Sequence, residues 1–259
     1  MDSASERYWI ESELCARLDV QRLVAELQRV VALRHEHVLA VEEVGIADGG
    51  VYFVAPIVDG ITLRTWLERE RPLAILESVR VMTEVALALV HAHAAGIAHG
   101  ALSPEMILWS NTHAKVRDFG LKVALLHAGA PPEFVDGCAP PGTFDYAAPE
   151  RSSDALGDIY SFGAIAYEVL TGRVPVLSSL EPVNKLRHHL PAGLARLVMR
   201  CLEREPASRP QSANELTRIL VGMVTPALGY ERAQLVAQAR FFERQGDAQR
   251  AAERFDQAR

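Results

Sequence analysis

Two short runs in the middle of the chain hold side chains whose types could do chemistry. One is Ala98-His99-Gly100-Ala101-Leu102-Ser103-Pro104-Glu105-Met106-Ile107-Leu108, and the other is Asp118-Phe119-Gly120. Asp118 could hold a cation, although one carboxylate without a second ligand makes a weak site. Glu105 is the nearest group that could accept a proton. His99 reads more simply as a packed structural histidine. Chemistry on phosphate commonly draws on a lysine, and this chain has only three, Lys115, Lys122 and Lys185. None precedes position 115, and arginine supplies nearly all the positive charge.

The apolar pattern predicts the elements that would carry these runs. Leu23 to Leu33 has apolar residues at helical spacing. Val38–Val41 and Val51–Val54 are β-prone, with Asp48-Gly49-Gly50 as a hairpin-like turn between them. Thr62 to Glu70 reads as a helix that ends before Pro72. Leu76 to Ala95 reads as a long helix stopped at Gly96. Residues 96 to 150 read as loops and short strands. Ile159 to Leu170 is apolar nearly all round and predicts a buried helix ending at Thr171-Gly172. Ala192 to Leu202 is a further helix, and Ser212-Ala213-Asn214-Glu215 opens a last one that runs to about Met223. Strands come first and helices follow, an α+β order with a small β-containing part and a larger helical part.

The bulk properties exclude several classes. The chain has 259 residues, 49% of them hydrophobic and 23% charged, which suits a soluble globule with a real core. A net charge of −6 gives no basis for nucleic-acid binding. Cys15, Cys138 and Cys201 fit neither a zinc spacing nor a disulfide framework, so a reducing cytoplasm is expected. No signal peptide and no membrane span are expected.

Several separated motifs resemble those of bacterial Ser/Thr protein kinases, in order and in spacing. Glu26 stands nine residues before His35, as the helix-C glutamate stands before its turn. Tyr52 to Leu63 resembles the hinge, and His99 to Leu108 the catalytic loop. Asp118-Phe119-Gly120 is the D-F-G triad. Gly142 to Glu150 resembles the end of the activation segment, closing in Ala148-Pro149-Glu150. Asp158 to Gly163 resembles the start of helix F, and Arg209-Pro210 the late arginine. The resemblance covers roughly residues 20 to 223. It implies a protein-kinase-like fold: a reduced β-containing lobe over 1–54, a mainly helical lobe over 55–225, and a separate segment over 226–259. Among structural residues it implies a buried Glu150–Arg209 pair. Asp158 is expected to hold the catalytic-loop backbone, with His99, Phe119 and Gly120 in the scaffold.

The resemblance also shows what is missing. Ala101 stands where the family has its base, Met106 where an asparagine holds magnesium, and Ser103 where a lysine meets the transferring phosphate. Gly100 replaces the arginine that would bind a phosphorylated activation segment. No Gly-rich loop and no strand-3 lysine are found, so Glu26 lacks its usual partner; Arg7 or Arg17 could approach the place. Arg7 to Leu14 could stand for the first strand or the third. The stretch from Glu150 to Asp158 is about four residues short of the family pattern. A positioned base contributes about 10²–10⁴-fold and an electrostatic anchor about 10²–10³-fold. Three such losses imply a deficit of at least about 10⁶-fold, even without full additivity.

Adenine recognition uses hinge backbone, here near Ala55, Pro56 and Val58, and proline keeps its carbonyl. Weak nucleotide binding is therefore open, with Asp118 a remnant metal ligand at best; no cofactor is required, and ATP with magnesium would bind weakly. Residues 232 to 259 resemble most of one tetratricopeptide repeat, with Leu235, Ala239, Phe242, Gly246-Asp247, Ala251, Phe255 and Ala258 at its positions. The alternative there is a plain helical hairpin. The expectation is a catalytically inactive kinase-like domain acting through protein partners, without nucleic acid or membrane. The alternatives are a weak or unconventional Ser/Thr kinase and a nucleotide sensor that transfers nothing.

Overall fold

The computed structural model describes residues 5–10, 12–110, 113–137, 143–188 and 190–223, and positions 250, 254 and 257. The segment expected to be a tetratricopeptide-like hairpin, 226–259, lies outside the described residues apart from those last three positions.

The small lobe is built on a three-stranded antiparallel sheet. β1 (Ser5–Ile10) carries Tyr8, Trp9 and Ile10, residues that favour a pleated surface. A single turn, α1 (Ser12–Cys15), leads to α2 (Val20–Val31). Asp19 caps α2 by accepting a hydrogen bond from the Arg22 N–H at 3.0 Å. Leu23, Leu27 and Val30, at i, i+4 and i+7, form its buried face. β2 (Glu43–Ala47) and β3 (Gly50–Pro56) form a two-residue hairpin. Its turn residues Asp48 and Gly49 have φ of 50° and 76°, the left-handed values that such a turn needs. The strand order is β1-β3-β2. The expected strand at Val38–Val41 is absent: Val38 makes a lone bridge to Val116, and pairing starts at Glu43.

The large lobe starts at β4 (Ile61–Thr62) and α3 (Leu63–Arg69), capped by the Thr62 hydroxyl. α4 (Ile75–Ala94) follows, and Gly96 just beyond it has φ 69°. β5 (Ile107–Ser110) and β6 (His113–Val116) make a hairpin against β4. Two helices then occupy ground read from sequence as loop: α5 (Leu121–His127) and α6 (Pro132–Gly137). α7 (Ala155–Thr171) is capped by Asp154 and ends at Gly172, φ 72°. The short α8 (Val183–Leu186), then α9 (Ala192–Cys201) and α10 (Ala213–Val221), complete the lobe.

Among the described residues two apolar cores result. The larger is centred on α4 and α7 and draws in α3, α9 and α10. The smaller joins Ile10 of β1, Leu23 and Leu27 of α2 and Val51 of β3 to Ala124, Leu125, Ala128, Ala130 and Val135. The last five belong to α5, α6 and the link between them, so the small lobe's interior is completed by the segment that follows Asp118-Phe119-Gly120.

Candidate functional site

The loop from His99 to Met106 is fixed from beneath by Asp158, near the start of α7. The buried Asp158 carboxylate accepts from the N–H of His99 at 2.7 Å and of Gly100 at 2.8 Å. His93 Nε2 adds a contact at 2.8 Å. His99 is itself buried: its Nε2 meets the Arg117 carbonyl at 2.9 Å, and its ring lies 5.0 Å from that of Phe119. Burial holds its imidazole below the usual 6.5, so it is a neutral packing group. The frame of the loop is thus well supported, but its reactive positions carry a methyl at Ala101 and a thioether at Met106, which is 7% exposed. Ser103 Oγ is buried with no hydrogen-bond partner among the described residues.

Asp118 sits in left-handed backbone at φ 61° and is ion-paired with its neighbour, Arg117 Nε to Oδ2 at 2.8 Å. Above it, β1 pairs directly with β3, the strand that leads into the hinge. β1 therefore takes the place of the family's third strand rather than its first. Side chains alternate along a strand, so Tyr8 shares a face with the buried Ile10. Its phenol lies within electrostatic reach of Asp118 and Arg117 and stacks on Phe53 at 5.4 Å. Burial, then the hydrogen bond to Glu6, raises that phenol's pKa. Arg7 is on the other face, 4.4 Å from the Tyr52 ring centroid, and Arg17 is exposed after α1. Neither is placed as a lysine substitute for Glu26.

Glu26 has other partners. Its carboxylate meets Arg29 Nη1 at 3.0 Å and His127 Nδ1, at the end of α5, at 3.2 Å. The His127 contact is the main reason its pKa lies below the ordinary carboxylate value. At the hinge, Ala55 is buried, Pro56 ends β3 and Val58 is half-buried.

One charged network was not foreseen. Arg64 on α3 donates to Glu105 Oε1 at 2.8 Å, to Glu168 Oε1 at 2.8 Å and to the Tyr146 hydroxyl. Tyr146 also donates to Glu168. Burial alone would lower the Arg64 pKa, but the hydrogen bonds to Glu168 and Glu105 hold it above its usual value. Glu105, the nearest candidate base, is therefore committed to a guanidinium through one oxygen, and its other oxygen is buried with no hydrogen-bond partner among the described residues. A signal for this network was visible: Glu168 is the lone charge in the apolar half of α7.

At the far end of the loop, Arg209 is fully buried and forms a bidentate pair with Glu150, at 2.6 and 2.7 Å. Its remaining donors reach the carbonyls of Glu203, Leu156 and Arg204. A cavity of about 190 Å³ lies between the loop and the 147–153 stretch, lined by Gly100, Ala101, Lys122, Ala147, Arg151 and Ser153 among others.

The sequence matches the protein kinase domain family over residues 10–225. The chain belongs to the protein kinase domain family. Among curated kinases, it is 33% identical over 223 residues to serine/threonine-protein kinase PknB of Mycobacterium tuberculosis, covering 77% of this chain and 35% of that one. It is 32% identical over 233 residues to PkaB of Streptomyces coelicolor, covering 79% and 55%. A probable serine/threonine-protein kinase of Clostridium acetobutylicum is 29% identical over 210 residues. The chain thus spans about a third to a half of the length of these kinases. Magnesium takes oxygen ligands in near-octahedral geometry. The kinase positions that would supply them here hold a buried thioether at Met106 and a single carboxylate at Asp118, too few oxygen donors to fit the ion. No helix among the described residues is long and apolar enough to cross a membrane.

Proposed function

We propose that this kinase-family chain transfers no phosphate and works as a regulatory or scaffolding module through protein contacts. The observation that carries this reading is the double commitment of the segment after Asp118-Phe119-Gly120. Ala124, Leu125 and Ala128 of that segment lie in the small lobe's core, and His127 takes the Glu26 carboxylate. Kinases position the helix-C glutamate against a lysine and open this segment to a peptide. Here the glutamate and the segment hold each other, while Ala101 and Met106 supply neither base nor metal ligand. The segment over 226–259, similar to a tetratricopeptide repeat, is the part proposed to meet a protein partner. A cytoplasmic setting is consistent with the buried free thiols of Cys15 and Cys201.

The test is incubation of purified protein with labelled ATP, Mg²⁺ or Mn²⁺, and a generic protein acceptor. No incorporation above an Asp118→Asn control is expected. Strong metal-dependent labelling that this substitution abolishes would overturn the reading. Thermal shift with ATP, with and without metal, addresses nucleotide binding separately, because stabilisation follows RT ln(1 + [L]/Kd).

A further inference from the structure

Four of the chain's nine histidines form one run of ring contacts. His91 lies 5.1 Å from His35, His35 lies 5.5 Å from His37, and His37 lies 6.1 Å from His113. Beneath them is Glu84, a carboxylate 7% exposed in the middle of α4. Its Oε1 is 3.1 Å from His113 Nδ1, and its Oε2 is 3.9 Å from His37 Nδ1. One ligand atom from each of His37, Glu84 and His113 lies within 4.8 Å of the other two. None of the three lines the cavity at Ala101.

We propose that His37, Glu84 and His113 bind a divalent transition metal of the zinc class. Two imidazoles and one carboxylate are the donors that such ions take, and a set of three leaves one position of a tetrahedron open. Metal–ligand bonds of about 2.0–2.1 Å place tetrahedral ligand atoms about 3.3 Å apart. His113 Nδ1 stands 3.1 Å from one Glu84 oxygen and His37 Nδ1 3.9 Å from the other, and one donor atom from each residue lies within 4.8 Å of the other two, so a modest contraction brings the set to that spacing. The remaining gap closes by rotation of His113, whose side chain is 55% exposed.

The backbone already holds the three segments together. His37 lies in the turn after α2, and its carbonyl accepts from the Val116 N–H at 2.8 Å. The Ala114 N–H donates to Glu84 Oε2 at 2.5 Å. Ligation through His37 Nδ1 exchanges that nitrogen's 3.0 Å contact with the Ala114 carbonyl for the metal bond. The ring proton then sits on Nε2, where the Glu36 carboxylate stands 3.6 Å away. A carboxylate on the outer ring nitrogen is the usual orienting partner of a metal-bound histidine. Two cations lie nearby. Arg80 Nε is 3.3 Å from Glu84 Oε1 and gives way to the metal; its guanidinium already lies 5.7 Å from the Trp109 ring centroid. Lys115 is engaged with the Glu36 carbonyl. Bound metal would join the turn after α2 to α4 and to the β5–β6 hairpin.

The experiment titrates the full chain with Co²⁺, read by its visible d–d absorption, and then displaces it with Zn²⁺. One saturable site per chain is expected, unaffected by millimolar Mg²⁺. His113→Ala, at an exposed position that does not threaten folding, is expected to weaken binding at least about 10-fold, and Glu84→Gln likewise. A double His188→Ala, His189→Ala variant, which removes the adjacent histidine pair in the sequence, keeps full binding. No saturable site, binding unchanged in His113→Ala, or binding lost in the His188/His189 variant would each overturn the proposal.

Discussion

Glu26 on α2 and His127 at the end of α5 are 101 residues apart in sequence and meet at 3.2 Å. Around this contact Leu23 and Leu27 pack in one apolar cluster with Ala124, Leu125 and Ala128. The Asp19 N–H adds a hydrogen bond to the Ala128 carbonyl at 2.9 Å. Both side chains are partly exposed, so the contact contributes at most about 1 kcal/mol. Burial of Leu125 is the stronger tether.

That ranking can be measured. Leu125→Ala is expected to cost about 2–5 kcal/mol, whereas His127→Ala should cost less than about 1 kcal/mol. Urea unfolding of both variants decides it, and the reverse order would mean that charge holds α5 in place.

The Glu150–Arg209 pair should behave differently from a surface ion pair. Arg209 is fully buried, with every guanidinium nitrogen hydrogen-bonded. Arg209→Met leaves three carbonyls without their donor, while the Glu150 carboxylate, 29% exposed, regains water, and an expected loss of about 1–3 kcal/mol follows. Glu150→Gln keeps the shape but loses the charge, and should fall between this variant and the parent in chemical denaturation.

Stability should fall in two stages as the solution is acidified. Burial holds His99 below 6.5, and burial is also the leading cause for His35. The unfolded chain therefore binds more protons as pH drops below about 6.5, and stability declines from there. Glu150 is lowered from 4.5 chiefly by Arg209, and Glu215 by Arg200. Their contributions are present above 4.5 and are lost as pH falls below it. His99→Gln should shrink the first stage to the His35 share and leave the second; unfolding free energies measured from pH 8 to 3 check both.

Putting the missing groups back into the loop should not awaken transfer. Ala101→Asp with Met106→Asn restores a carboxylate and an amide, but β1 still presents Tyr8, and Asp118 is still paired with Arg117. Labelling is expected to stay at the Asp118→Asn background. A rise of about 100-fold or more would show that these two loop groups alone were limiting.

The order of lobes, the α4 and α7 helices and their glycine stops were legible in the sequence, because long apolar periodicity and cap residues are local signals. Glu150, Asp158 and Arg209 were legible only through the resemblance of their motifs to those of kinases. α5 was not, although Leu121, Ala124, Leu125 and Ala128 have helical spacing. Seven residues are too few to form a helix without a partner surface, and that surface, α2, lies about a hundred positions earlier. Val38–Val41 misled because β-prone composition does not create a strand without a neighbour to pair with. The true strand contains Gly45, a poor β-former that is present because the Tyr52 ring lies across it. A Cβ there would come within 2.5 Å of the Tyr52 hydroxyl. The Arg64 network was half visible: Glu168 announced that a buried partner must exist, but nothing local named Arg64.

Five apolar residues after Asp118-Phe119-Gly120 line the interior of the small lobe. A stretch that serves as a wall cannot also serve as a door. Its amides are expected to exchange with deuterium in step with those of α2, so that the lobe and the segment behave as a single cooperative unit that opens together or not at all.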